Sequence, residues 1–120
     1  MSTVLVVEDS LTDTEVLTRY LKQAGLVVVS VQSGEEAHMR LQSQKPDLVI
    51  LDVILPGQSG FEICHGLKTN EDTKRIPVVI CSSKVSEVDK LWGSMLGADA
   101  YLAKPVDLQQ LMQIIQQFIS

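Results

Sequence analysis

The chain has 120 residues, which is the length of one domain and leaves no room for a second. Hydrophobic residues make up 45% of it and charged residues 21%, a globular composition that excludes a disordered chain. The net charge of −5 and the lack of a basic run exclude a nucleic-acid-binding surface, which needs clustered lysines and arginines.

The N-terminal segment has no basic region and reaches acidic residues after four apolar positions, which is not typical of a secretion signal. No apolar run approaches the length of roughly 20 residues that a membrane-spanning helix needs. We therefore expect a cytoplasmic protein with no membrane partner. Cys64 and Cys81 lack C-x-x-C spacing, which predicts two reduced, partly buried thiols and no disulfide or metal site.

Five short apolar runs, rich in β-branched residues, alternate with helical patterns along the chain. Most of these runs are apolar on both faces, as in strands of a parallel sheet that is buried between helices. The predicted strands are Val4–Val7, Val27–Val31, Leu48–Leu51, Val78–Cys81 and Ala100–Ala103.

The segments that follow the strands carry apolar residues at helical spacing. The first predicted helix ends at Gly25 and the fourth at Gly97, because glycine readily adopts the conformation that closes a helix. Asp107 is the predicted N-cap of the fifth helix. Strict alternation of five strands and five helices predicts a doubly wound α/β sandwich of three layers with right-handed crossovers.

Four of the five predicted strands are followed by the polar residues of a candidate site, whereas the second is followed by Gln32-Ser33-Gly34, with no charged group. Glu8 and Asp9 follow the first strand, Asp52 the third, Ser82 the fourth and Lys104 the fifth. Ligands of open α/β sheets bind beyond the carboxyl ends of the strands, where the strand order reverses. In the doubly wound order 2-1-3-4-5 these four strands are contiguous, so we expect their polar ends to line one crevice.

This crevice would hold three carboxylates, an ammonium group and a hydroxyl group. Clustered carboxylates raise one another's pKa unless a cation intervenes, and an all-oxygen ligand set without histidine or cysteine suits Mg²⁺. The metal, Lys104 and Ser82 would then surround the oxygens of a phosphoryl group, with Asp52 as its nucleophilic acceptor. One such residue alone would be read as a helix cap or an ion pair, but four matched strand ends favour a phosphoryl-accepting site.

Four segments, in order and at the family's spacing, resemble the receiver domain of two-component response regulators. The resemblance covers the whole chain and implies one receiver domain over residues 1–120, with a flavodoxin-like sheet in the order 2-1-3-4-5. The segments are Val6–Ser10, Leu51–Gly57 with Gly60–Glu62, Pro77–Ser83, and Gly97–Pro105.

The resemblance also implies a ligand set for the metal. Asp9 and Asp52 would coordinate Mg²⁺ directly, together with the backbone carbonyl of Ile54. Glu8 would hold the metal through a water molecule.

Three further residues take roles from the resemblance. Ser82 would move to bond the phosphoryl group, Tyr101 would rotate inward behind it, and Lys104 would pair with a phosphoryl oxygen. The Lys104–Pro105 peptide bond would be cis. Serine replaces threonine at position 82, but the hydroxyl group that the switch needs is kept.

The resemblance implies a histidine kinase as the donor of the phosphoryl group and a downstream protein as the partner of helix 4, strand 5 and helix 5. A narrower resemblance is to single-domain chemotaxis-type regulators of type IV pilus twitching and phototactic motility, and it is carried by Ser83-Lys84, Asp89–Gly93 and Gly97–Tyr101. The structural interpretation of the same segment is that Trp92 packs in the core on one helical face with Val88 and Met95.

Three other functions remain open at this stage. A receiver could drain phosphoryl groups from a shared kinase and act as a phosphate sink. A phosphatase-like hydrolase would carry a second acid two residues after its nucleophile, where this chain has Ile54. A flavodoxin-like cofactor binder would need a phosphate-binding loop after the first strand, where Glu8 and Asp9 would repel phosphate.

Overall fold

The computed structural model describes residues 1–119, which form five strands and five helices in alternation. The strands are β1 (Thr3–Val7), β2 (Val27–Val31), β3 (Leu48–Leu51), β4 (Val78–Ser82) and β5 (Ala100–Ala103). The helices are α1 (Leu11–Gln23), α2 (Gly34–Ser43), α3 (Gly60–Thr69), α4 (Glu87–Met95) and α5 (Leu108–Phe118).

All neighbouring strands are parallel, and their order is β2-β1-β3-β4-β5, which confirms the predicted doubly wound sheet. Three predicted strands match residue for residue. The first begins one residue earlier, at Thr3, and the fourth extends by one residue, to Ser82. The register pairs Val7 of β1 with Leu51 of β3, so the residues that follow these two strands lie side by side.

The sheet separates two hydrophobic clusters, and successive residues of the central strands point into alternate ones. In β1, for example, Val4 and Val6 belong to one cluster and Leu5 and Val7 to the other. Helices α1 and α5 cover the first face, and α2 and α3 cover the second. Burial on both faces explains why the central strands have continuous apolar runs.

Each of the five helices within the described range begins at a residue whose side chain accepts a hydrogen bond from the third backbone N–H of the helix. Asp107 is one of these caps, as predicted. Gly25 and Gly97 have φ angles of 83° and 101°, which confirms that both glycines end helices in the left-handed region. None of the helices in residues 1–119 combines the length and the hydrophobicity needed to cross a membrane.

Helix α4 corrects one prediction from the sequence. Val88, Trp92 and Met95 do share a helical face, but they are 75%, 50% and 68% exposed, so the interpretation of Trp92 as a core residue is wrong. The buried residue of α4 is Gly93, where a Cβ atom would lie 3.1 Å from a side-chain atom of Ile80. The helix therefore rests on the sheet through its smallest residue and turns its apolar face to solvent.

This orientation predicts that an α4 leucine contributes little to stability. Leu91 is 61% exposed, so Leu91→Ala should change the free energy of unfolding by less than about 0.5 kcal/mol. Chemical denaturation with urea measures the change. A loss of more than about 2 kcal/mol, as for a buried leucine, would contradict the outward orientation of this face.

Candidate functional site

The sheet brings the predicted acidic residues together at one edge. Carboxylate oxygens of Glu8, Asp9 and Asp52 all lie within 4.8 Å of one another. Glu8 is 2% exposed and Asp52 is 9% exposed, whereas Asp9 faces solvent. Their donor atoms are all hard oxygens, which is the chemistry that a magnesium-type cation prefers.

Backbone hydrogen bonds fix the position of Asp52. Its N–H donates to the carbonyl of Val7 at 3.1 Å, which continues the pairing of β1 and β3 beyond their ends. The N–H of Val53 donates to Asp52 Oδ1 at 2.7 Å. Gly60, at the start of α3, donates to the carbonyl of Val53 at 2.8 Å, so the loop from β3 returns to its own beginning.

Lys104 enters the same crevice from the end of β5. Its backbone N–H donates to the carbonyl of Ser82 at 3.0 Å, and its peptide bond to Pro105 is cis, as predicted. Its Nζ lies 3.0 Å from Asp52 Oδ2 and also donates to Glu8 Oε1. The predicted contact between an ammonium group and the central carboxylate is therefore present.

The contacts of Lys104 keep it charged. Burial alone would lower the pKa of this ammonium group, but its hydrogen bonds to Glu8, Asp13 and Asp52 outweigh burial and raise the pKa above the ordinary value for lysine. A permanent positive charge here can neutralise part of the negative charge that a phosphoryl group brings.

For Glu8, burial outweighs the hydrogen bonds in setting the pKa. Burial raises the pKa of its carboxyl group above the ordinary value, and the nearby charge of Asp52 raises it further. The ammonium of Lys104 and the N–H of Ser10, which donates to Oε2 at 3.1 Å, act against this shift. The crevice thus holds more negative charge than its lysine can balance, which fits a site for a divalent cation.

Asp13 is a member of this site that the sequence analysis missed. Its Oδ2 lies 2.9 Å from Lys104 Nζ, although the two residues are 91 positions apart. Asp13 lies in the first turn of α1, where an acidic residue is commonly explained by the helix dipole. The signal in the sequence is its place in the first helical turn after the Glu8-Asp9 pair, although Asp13 does not itself follow a strand.

Ser82 and Tyr101 converge on one residue of the loop after β4. Ser82 is fully buried, and its hydroxyl oxygen accepts a hydrogen bond from the N–H of Lys84 at 3.1 Å. The hydroxyl of Tyr101 donates to the carbonyl of the same Lys84. A movement of either side chain would therefore alter a hydrogen bond to the backbone of Lys84, in the loop that leads to α4.

Tyr101 also lies beside α4. Burial raises the pKa of its hydroxyl, followed by the charges of Asp89 and Asp52, so the phenol stays protonated and can donate. A Cβ atom built on Gly93 would lie 3.2 Å from the ring of Tyr101. The ring thus packs against the one position of α4 that approaches the sheet.

The remaining titratable residues do not extend the crevice. Both cysteines are free and buried, and burial raises the pKa of Cys64 to about 11 and that of Cys81 to about 12. His38 and His65 are exposed on α2 and α3. The side chain of Ile54 is exposed, and the role of its carbonyl as a metal ligand stays a prediction.

Comparisons with known proteins agree with this architecture. The family model for the response regulator receiver domain matches residues 4–116. Protein PilH of Pseudomonas aeruginosa is 36% identical over 120 residues, which cover 100% of this chain and 99% of PilH.

Two solved structures are similar over nearly their whole length. A putative response regulator from Chloroflexus aurantiacus has a TM-score of 0.94 and 34% identity, with 98% of this chain and 96% of that chain covered. The receiver domain of a sensor histidine kinase from Pseudomonas aeruginosa, with a magnesium ion coordinated in its active site cleft, has a TM-score of 0.89 and 26% identity, with coverages of 98% and 97%. The chain belongs to the response regulator receiver domain family.

Proposed function

We propose that this protein accepts a phosphoryl group on Asp52 from a histidine kinase and that the phosphorylated form changes which protein it binds. One observation carries the proposal. Carboxylate oxygens of Glu8, Asp9 and Asp52 lie within 4.8 Å of one another, and the ammonium of Lys104 lies 3.0 Å from Asp52 Oδ2. A nucleophilic carboxylate with a cation site and a fixed positive charge is what phosphoryl transfer requires.

The residues of the crevice fit Mg²⁺. We propose Asp9, Asp52 and the carbonyl of Ile54 as direct ligands and Glu8 as a ligand through water. The magnesium-containing receiver domain from Pseudomonas aeruginosa supports the choice of metal. When bound, Mg²⁺ would offset the negative charge of the incoming phosphoryl group and of the acidic cluster.

Phosphoryl transfer then proceeds by displacement. A carboxylate oxygen of Asp52 forms a bond to phosphorus while the bond from phosphorus to the kinase's histidine nitrogen breaks, and the electron pair stays on that nitrogen. The product is an acyl phosphate on Asp52 and a free histidine. Lys104 is placed to donate to a phosphoryl oxygen, because its Nζ already reaches Asp52 Oδ2, and Ser82 offers its hydroxyl at the neighbouring strand end.

A small phosphodonor tests the acceptor directly. Incubated with acetyl phosphate and Mg²⁺, the wild type should gain the mass of one phosphoryl group in intact-mass spectrometry, and Asp52→Asn should gain none. Asp72→Asn, which removes an exposed carboxylate in the turn that follows α3, serves as the matched control and should behave as the wild type. A wild type that gains no mass would overturn the proposal.

The output surface that we propose is formed by α4, β5 and α5. The apolar residues Val88, Leu91 and Met95 of α4 are exposed there without partners in the fold. A groove of about 440 Å³ lies over β5 and is lined by Tyr101 together with glutamines of α5. An exposed apolar helix face beside a groove with both polar and apolar walls is typical of a protein-binding site.

Two serine variants test whether Ser82 transmits phosphorylation of Asp52 to this surface. Phosphorylation should change the fluorescence of Trp92, the single tryptophan, because α4 carries it beside the proposed output surface. Ser82→Ala should still take up phosphate but lose more than about half of this change, since its hydroxyl is removed. Ser83→Ala, at the exposed neighbouring position, should keep the full change. Equal signals in all three proteins would exclude Ser82 from the route.

The wider role that we propose is a single-domain regulator of pilus-dependent motility. PilH matches this chain over 99% of its own length, so the two proteins share a domain organisation over the aligned part. Trp92, which carries part of the narrower resemblance, is half exposed on α4 and lies beside the proposed output surface, whereas its neighbour Gly93 is buried. Loss of surface motility on deletion of the gene, with normal growth, is the expected phenotype.

A further inference from the structure

Lys104 uses its whole hydrogen-bonding capacity on carboxylates. An ammonium group has three N–H donors, and its three partners here are Glu8, Asp13 at 2.9 Å and Asp52 at 3.0 Å. Two of these partners belong to the acidic cluster that fits a metal, and Asp13 is outside that cluster within the described chain.

The ammonium group and a divalent cation therefore compete for the same two carboxylate groups, those of Glu8 and Asp52. A cation held directly by Asp52 and through water by Glu8 weakens both carboxylates as acceptors for Lys104 and repels its positive charge. The side chain of Lys104 is only 12% exposed, so solvent cannot replace two lost partners. A partly buried ammonium group without an acceptor is costly, and that cost opposes binding of the metal.

Asp13 offers the one acceptor of Lys104 that the metal does not take. It is fixed in the first turn of α1, where its backbone N–H donates to the hydroxyl oxygen of Ser10 at 3.3 Å. Its side chain is 40% exposed, so an ordinary surface ion pair would contribute little. The pair of Asp13 and Lys104 differs from a surface pair because Lys104 is largely buried. Once the metal is bound, Asp13 is the carboxylate that remains as an acceptor for Lys104.

We infer that Asp13 is a positioning residue that retains Lys104 beside the crevice when a divalent cation occupies Glu8 and Asp52, and that it thereby strengthens metal binding. The inference rests on the proposed function only in taking Mg²⁺ as the cation. The same contact leaves Lys104 within reach of Asp52, where a phosphoryl oxygen would replace the carboxylate oxygen as its acceptor.

Titration calorimetry with Mg²⁺ alone tests the inference. Asp13→Asn should raise the dissociation constant roughly five- to tenfold, because Lys104 then competes fully for Glu8 and Asp52. Asp13→Glu, which keeps the charge, should recover most of the affinity. The matched control is Glu15→Gln, which removes the same charge from an exposed position of α1 and should change affinity by less than about twofold. Equal losses in Asp13→Asn and Glu15→Gln, or no loss in Asp13→Asn, would overturn the inference.

A double-mutant cycle separates positioning from direct help to the metal. In a Lys104→Met background, Asp13→Asn should change Mg²⁺ affinity by less than about twofold, because the residue through which Asp13 acts is gone. A loss that persists in this background would mean that Asp13 acts on the metal or its water and would overturn the positioning role. The single variants Asp13→Asn, Asp13→Glu and Glu15→Gln alter partly or fully exposed side chains, so they decide the question even where Lys104→Met does not fold.

Failure of this inference can be told apart from failure of the proposed function. A wild type that binds Mg²⁺ but gains no phosphoryl mass would refute the function and leave the role of Asp13 standing. A wild type that is phosphorylated, with Asp13→Asn binding Mg²⁺ as tightly as the wild type, would refute the role of Asp13 alone. A wild type that binds no Mg²⁺ would refute the inference and the proposed metal.

Discussion

Replacing Gly60 with alanine should lower the free energy of unfolding by more than about 3 kcal/mol. A Cβ atom at this position would lie 1.8 Å from the backbone carbonyl oxygen of Asp52 and 2.7 Å from its carbonyl carbon. These are backbone atoms at the buried end of β3, so they cannot rotate away as a flexible side chain would. Relief of the overlap requires α3 and Asp52 to separate, and urea denaturation measures the resulting loss in free energy of unfolding.

A second glycine of the same helix provides the control. Gly66 has no atom within 4 Å of its added Cβ, and it lies in the interior of α3. Gly66→Ala should therefore raise the free energy of unfolding by about 0.5–1 kcal/mol, as expected when alanine replaces glycine in a helix. If Gly60→Ala stayed within about 1 kcal/mol of the wild type, the close contact of α3 with Asp52 would be refuted.

The strands and the position of the crevice could be predicted because both depend on local pattern. Strands buried on both faces must be apolar throughout, so their runs were visible, and the first polar residue after each run marked its end. The order of the strands then followed from the doubly wound topology and brought Glu8 and Asp9 beside Asp52. Gly60 could not be explained in this way, since its reason is a contact with a backbone eight residues away.

The orientation of α4 and the contact between Asp13 and Lys104 could not be predicted either, because both depend on contacts between segments that are distant in sequence. A helical pattern shows that one face of α4 is apolar but not on which side its neighbours lie. Because Gly93 lets α4 approach the sheet closely, the apolar face with Trp92 points outward. The contact between Asp13 and Lys104 joins the first turn of α1 to the end of β5, and neither residue's surroundings in sequence indicate the other.

Replacing Lys104 with methionine should reduce the free energy of unfolding by about 3–5 kcal/mol in the absence of divalent cations at neutral pH. The variant removes the positive partner of Glu8 and Asp52, whose side chains are 2% and 11% exposed, and leaves two charges buried side by side. Lys74→Met is the control, because its ion pair with Glu71 is at the surface and should contribute less than about 0.5 kcal/mol.

Mildly acidic pH should reduce the difference in free energy of unfolding between Lys104→Met and the wild type. Burial already raises the pKa of Glu8 with Lys104 in place, and loss of the ammonium group leaves only the N–H of Ser10 to act against that shift. A carboxylate whose folded pKa exceeds its unfolded pKa destabilises the fold above both values, and the penalty declines as the pH falls through the folded pKa. Urea denaturation of Lys104→Met and wild type at neutral and mildly acidic pH measures this dependence.

At neutral pH, Mg²⁺ should also reduce the difference in free energy of unfolding between Lys104→Met and the wild type. The cation stabilises each protein by an amount that grows with its affinity, and in Lys104→Met it meets Glu8 and Asp52 without a competing ammonium group. Saturating Mg²⁺ should therefore stabilise the variant by more than it stabilises the wild type. If the two gained equally, Lys104 and the metal would not share the oxygens of Glu8 and Asp52, and the crevice would have to hold its cation by other ligands.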